Sequence, residues 1–104
     1  MTVTSMASDD GSELTIVIKG RFDFSVHQDF RGSYETLSSK PEQFILDMTD
    51  TAYLDSSALG MLLLLRDYAG GDAAKISIKN ASSDVKRILA ISNFEQLFTI
   101  ENNE

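Results

Sequence analysis

The 104-residue chain has no cysteine, so neither a disulfide nor a thiolate metal site is available, and nothing marks it for an oxidising compartment. Basic residues are scarce. Nine Lys and Arg stand against sixteen Asp and Glu, a formal net charge of −7. Such a surface repels, on average, a phosphate backbone or an anionic bilayer, so neither direct nucleic-acid binding nor membrane association is expected. Long apolar runs are missing too. The most apolar stretch, residues 58–65, has eight residues with Gly60 inside it, whereas a bilayer span takes about 20. No basic residue precedes Lys19, although Asp9, Asp10 and Glu13 do, which is the reverse of a signal peptide's charged start. A cytoplasmic protein is therefore expected.

Catalytic patterns are equally sparse. His27 is the only histidine, and its spacing puts it, exposed, in the first turn of a helix. No G-x-S-x-G elbow accompanies it, so a Ser-His-Asp hydrolase cannot be assembled. The Gly70-Gly71 pair lacks the Lys of a phosphate loop, and Asp47, Asp50 and Asp55 lack EF-hand spacing. The expectation is a non-enzyme without metal or cofactor.

What is present is a globular pattern. Counting glycine and leaving out tyrosine, apolar residues make up about 45% of the chain, inside the band of roughly 45 to 50% for folded domains. The length suits one domain over residues 1–104, with a solvated tail over 101–104. A short edge strand is predicted over residues 2–6, followed by a turn at Asp9, Asp10 and Gly11. Leu14, Ile16 and Ile18 alternate with Thr15 and Val17, which predicts a strand closed by Gly20. Ser25 and Gln28 have capping-box spacing, and Val26, Phe30, Tyr34 and Leu37 share one helical face, so a helix is predicted over 25–37. Phe44, Ile45 and Leu46 form a continuous apolar run, as in a central strand covered on both sides.

A polar connection over residues 49–55, interrupted by Tyr53 and Leu54, leads to a second helix over 56–68 that ends at Gly70-Gly71. Its leucines point nearly all round, so Leu59, Leu62, Leu63 and Leu65 are expected to pack inside. Ile76 and Ile78 mark another strand. From Ser82 or Ser83, Val85, Ile88, Leu89 and Ser92 follow helical spacing until Asn93, and Phe94, Leu97, Phe98 and Ile100 supply a last apolar segment with a possible short strand. The order predicts an α/β domain: a single mixed sheet of four to five strands packed with three or more helices, opening with an antiparallel pair and continuing in parallel.

The informative stretch is Met48-Thr49-Asp50-Thr51-Ala52-Tyr53-Leu54-Asp55-Ser56-Ser57-Ala58-Leu59-Gly60. Asp55, Ser56 or Ser57 can each cap the second helix by accepting a backbone N–H, and one suffices. The cluster reads first as a plain helix start and, alternatively, as a surface hydroxyl beside free helical N–H groups, where a phosphoryl group is accommodated by the helix dipole. Pattern alone leaves both standing.

A strand followed by L-D-S-S-A-L-G at the start of an apolar helix, with Gly20-Arg21-Phe22-Asp23 upstream, resembles the STAS domain, and more narrowly the bacterial anti-sigma factor antagonists. The likeness runs from about residue 2 to residue 100. It implies the STAS fold and phosphorylation of the serine directly after the motif aspartate, which is Ser56. Asp55, Ser57, Ala58 and Leu59 are its implied neighbours in the partner-binding surface. Ala58 departs from the family's frequent glycine, an exchange that suits an ordinary helical first turn. Asp23 is a turn or cap residue on its own, and the resemblance implies that it faces the same partner surface.

The resemblance also implies the partners: an anti-sigma factor with a histidine-kinase-like ATPase fold acting as serine kinase, and a metal-dependent serine phosphatase. The unphosphorylated domain would sequester the anti-sigma factor and so release a sigma factor, acting as substrate rather than enzyme and as a monomer. Two rivals are a STAS subunit of an ABC-type transporter complex and a small-molecule or nucleotide-binding domain. The second lacks a Gly-rich fingerprint after any strand.

Overall fold

In the computed structural model, which describes residues 2–101, the chain runs β1 (Thr2–Ala7), β2 (Glu13–Phe22), α1 (His27–Glu35), β3 (Gln43–Asp47), β4 (Thr51–Leu54), α2 (Ser56–Ala69), β5 (Ile76–Lys79), α3 (Ser83–Ile91) and β6 (Thr99–Ile100). Single 3-10 turns lie at Phe24–Val26, Gly71–Ala73 and Phe94–Gln96. The six-stranded sheet has the order β1-β2-β3-β5-β6, with β4 joined to β2 alone. The β1–β2 pair is antiparallel and all other pairs are parallel, because a helix or longer crossover returns the chain to the same end each time.

Period-two burial builds the core side of the sheet. Leu14, Ile16 and Ile18 are buried while Thr15 and Val17 are half-buried. Ladder partners Phe44, Leu46, Ile76 and Ile78 share that face. Onto it pack Phe30 and Tyr34 of α1, Met61, Leu62 and Leu65 of α2, and Val85 and Leu89 of α3. Phe22, Phe30, Tyr34 and Tyr68 form a chain of rings with centroid separations of 5.1, 5.8 and 5.0 Å. Burying each large side chain contributes roughly 1.5–3 kcal/mol.

Four expectations need correction. The polar connection over 49–55 contains a strand, β4, so the sheet has six strands rather than four or five. Its burial runs buried, exposed, exposed, buried, which carries no period of two. Gly20 does not close β2. With φ of +86° it lets the strand continue to Phe22 across a register shift against β4, a backbone state that glycine adopts without strain. The first helix starts at His27, not Ser25, and its leading turn is capped by Asp23, whose Oδ1 accepts from the Ser25 N–H at 3.0 Å. Finally, Leu63 is 40% exposed, while Leu62 and Leu65 are buried and Leu59 is half-buried.

The remaining boundaries follow their chemistry. Gly70, with φ of +122°, ends α2 as a left-handed cap. Ser82 caps α3 by accepting from the Val85 N–H at 3.2 Å, and Asn93, at φ of +61°, stops the segment after it. Of the expected tail, residues 102–104 lie outside the described residues.

Candidate functional site

The parallel ladder between β2 and β4 sets Arg21 against Tyr53 and Phe22 against Leu54. Asp23 and Asp55 each follow one member of the last pair, so backbone register brings the two acids side by side. Each acid then caps what comes next. Asp55, in extended backbone at φ −121° and ψ −173°, accepts from the Ala58 N–H at 3.0 Å and the Ser57 hydroxyl at 2.6 Å. Asp23 accepts from the Ser25 N–H at 3.0 Å and the Ser25 hydroxyl at 2.5 Å, with the Arg21 guanidinium 3.6 Å away.

This bonding fixes the charge state. The Ser57 hydroxyl, then the Ala58 N–H, hold the Asp55 carboxyl below its ordinary range, and desolvation, followed by the neighbouring Asp23 charge, pushes it part of the way back. Ser25, through its hydroxyl and its N–H, does the same for Asp23, with help from Arg21. Both acids are anionic at neutral pH.

Capping also separates the two serines. Ser57 has committed its proton to Asp55. Ser56, the first residue of α2, is exposed, and its hydroxyl forms no hydrogen bond to any group of the described residues. Ala58 is fully buried and seats the helix from beneath, while Leu59 is half-buried, so the outward surface here is Ser56 with the edges of Asp55 and Ser57. The first turn of α2 contains no acidic residue, so the Asp55 carboxylate is the charge that caps the positive end of its dipole.

Sequence reasoning missed the aromatic rim. Phe24 is 66% exposed and stacks on His27 with ring centroids 4.8 Å apart, so His27 is half-buried rather than exposed. Tyr53 is 41% exposed under the Arg21 guanidinium, 4.6 Å from its ring centre. Phenylalanine and tyrosine read as core in a sequence, but the Asp23 turn sets Phe24 outward and the β4 ladder sets Tyr53 outward. Asp47 accepts from Thr49 in the β3–β4 turn and so serves the backbone. Among the described residues no group of three or more His, Cys, Asp or Glu is placed to hold a metal ion, and no helix is long and apolar enough to cross a membrane.

Asp55 offers a direct check on this local chemistry. Asp55→Ala lowers Tm by roughly 5 °C at neutral pH through loss of the cap. A carboxyl depressed in the fold stabilises it fully above the unfolded carboxylate pKa of about 3.9 and ceases to do so as pH falls through the folded value. Melting curves from pH 7 to 2 should therefore show the gap between wild type and Asp55→Ala constant at first, then closing below about pH 4.

Comparison with known proteins agrees with this architecture. Residues 5–100 match the family model described as "Mlab, STAS domain". A STAS-domain-containing protein of Pseudomonas aeruginosa is 60% identical over 100 residues, covering 96% of this chain and 99% of the relative. The chain belongs to the STAS-domain family. Unphosphorylated SpoIIAA, an anti-sigma factor antagonist, superposes with a TM-score of 0.75 at 14% identity, covering 99% of this chain and 90% of its own. A Thermotoga maritima structure described as a candidate anti-sigma factor antagonist gives 0.81 at 16% identity, over 97% and 86% of the two chains. A sulfate transporter family protein from Wolinella succinogenes gives 0.73 at 17% identity, over 89% and 79%. At these identities the likeness defines the fold, which anti-sigma factor antagonists and sulfate transporter STAS domains share.

Proposed function

We propose that the chain is an anti-sigma factor antagonist whose docking is switched by phosphorylation of Ser56. The observation that carries this reading is the division of labour at the start of α2: Asp55 caps the helix, Ser57 bonds to Asp55, and Ser56 alone is left exposed and unbonded. In the unphosphorylated state Ser56, Asp55, Ser57 and the adjacent Asp23 present a polar surface to an anti-sigma factor with a histidine-kinase-like ATPase fold. That partner transfers the γ-phosphoryl group of ATP to the Ser56 oxygen, with loss of the hydroxyl proton, and a metal-dependent serine phosphatase restores the hydroxyl by hydrolysis. The role is that of a substrate in the cytoplasm, not of a catalyst.

The test is phosphate mapping. A partner captured on Ser56→Ala bait and then supplied with ATP should place one phosphate per wild-type chain, on Ser56, and should still do so in Ser57→Ala. Phosphate at another position, or phosphate retained in Ser56→Ala, would overturn the assignment. The fold shared with sulfate transporter proteins favours a second reading, in which the same surface is permanently packed against a transporter subunit. Stable co-purification with a membrane complex, unaffected by Ser56→Asp, would select that reading.

A further inference from the structure

We propose that the free edge of β1 pairs with β1 of a second copy of this chain, forming a two-fold dimer through one continuous sheet. β1 ends the strand order and pairs only with β2. Its outward groups follow from one bond beyond the strand. The Ser8 N–H donates to the Glu13 carbonyl at 2.8 Å, continuing the register in which Ala7 faces Leu14. Bonded and non-bonded pairs alternate in an antiparallel ladder, so Thr4 and Met6 exchange bonds with β2. Val3, Ser5 and Ala7 turn their N–H and C=O groups away from it. None of those three has a backbone bond outside the ladder, and Ser5 and Ala7 are exposed.

Such an edge is a pairing template unless charge, proline or a covering element blocks it. The strand sequence TVTSMA contains neither charge nor proline. On a chain of net charge −7 this is a place where two copies meet without opposing like charges. The other end of the strand order, β6, is two residues long and is followed by Glu101.

Geometry selects the register. A two-fold axis perpendicular to the sheet keeps both core faces on one side, so residues facing each other must belong to the same face. With Ser5 on the axis, Ser5 faces Ser5 of the second copy and Val3 faces Ala7 of the second copy. All three outward-turned residues of each copy are then bonded, and exposed Met6, at 76%, is covered by Thr4 of the second copy. A register centred on Thr4 pairs only Val3 and Ser5 within the two strands and places Ala7 beyond the end of the second copy's β1. Five residues per copy make a small interface against the roughly 1,000 Å² of a stable one, so the dimer forms at high concentration and dissociates on dilution. Residual repulsion between two acidic bodies is screened by salt, which favours pairing. No residue of the Ser56 site takes part, so this inference stands apart from the partner-switching reading.

Sedimentation equilibrium up to millimolar protein tests it, with Ser5→Pro as the deciding variant. That change removes an outward N–H on the axis and no bond to β2, a position edge strands tolerate. The wild-type average mass should rise from 11.5 kDa toward twice that value, and more so at higher salt, while Ser5→Pro stays monomeric. If circular dichroism shows Ser5→Pro misfolded, Ser5→Lys, which opposes two ammonium groups across the axis, replaces it. Because the chain has no cysteine, Ser5→Cys should oxidise efficiently to a covalent dimer, and Thr4→Cys, whose counterpart is Met6, should not. A wild type that stays at 11.5 kDa, equal self-association of the Ser5 variant, or equal cross-linking at the two positions would overturn the proposal.

Discussion

Phosphorylation of Ser56 is expected to lower affinity for the anti-sigma partner at least tenfold, and Ser56→Asp, with about half the added charge, roughly fourfold or more, while Ser56→Ala binds within about twofold of wild type. A charge of about −2 set roughly 5 Å from a carboxylate of the partner costs on the order of 2 kcal/mol even at the dielectric of water, and more once the interface is dry. The penalty falls on docking rather than on folding. Ser56 is exposed and unbonded, and a negative charge added there meets both the helix dipole, which favours it, and the Asp55 and Asp23 carboxylates, which oppose it. Both variants should therefore stay within about 0.5 kcal/mol of wild-type stability, as exposed substitutions do. Isothermal titration of the three proteins against the captured partner, beside their melting curves, separates the effects. Equal affinities would end the switch.

Phe30→Ala is the change expected to cost most in stability, about 3–5 kcal/mol. The ring is fully buried, 5.1 Å from the Phe22 centroid and 5.8 Å from that of Tyr34, in the row that joins α1 to the sheet and to α2. Its removal forfeits the transfer term, leaves a cavity and breaks two ring contacts at once. Against a total stability of roughly 5–15 kcal/mol, that loss moves the urea midpoint far down. Phe24→Ala deletes the same side chain six residues earlier at 66% exposure, and should change stability by no more than about 0.5 kcal/mol. A small shift for Phe30→Ala would mean that the aromatic row is not what fastens α1.

The contrast between these two phenylalanines shows where the fold was readable. Phe30 sits four residues from Val26 and Tyr34, so helical spacing marks it as core, and it is. Phe24 precedes the helix, where no period applies, and its outward position depends on the Asp23 turn. The same distinction holds for strands. β2 announced itself through Leu14, Ile16 and Ile18, whereas β4 alternates no apolar residues and exists because Gly20 to Phe22 offer it a parallel partner some thirty residues away in sequence. Leu63 was drawn inward by composition, yet one turn of an apolar helix can face solvent. At the site, Asp55 and Ser56 were recognisable from the D-S-S pattern and its family resemblance. Which hydroxyl is already spoken for was not, since that depends on a 2.6 Å bond from Ser57 to Asp55.

The separation of Asp23 from Asp55 descends from main-chain pairing between Phe22 and Leu54, not from contacts of the acids themselves. Exchanging surface side chains alters the charge of this doorway but leaves its width alone. A single residue inserted within β4, between Tyr53 and Leu54, would slide one jamb along by about 3.3 Å and turn it to the other side of the sheet. In relatives of this chain, length should therefore be guarded more strictly than identity across that strand.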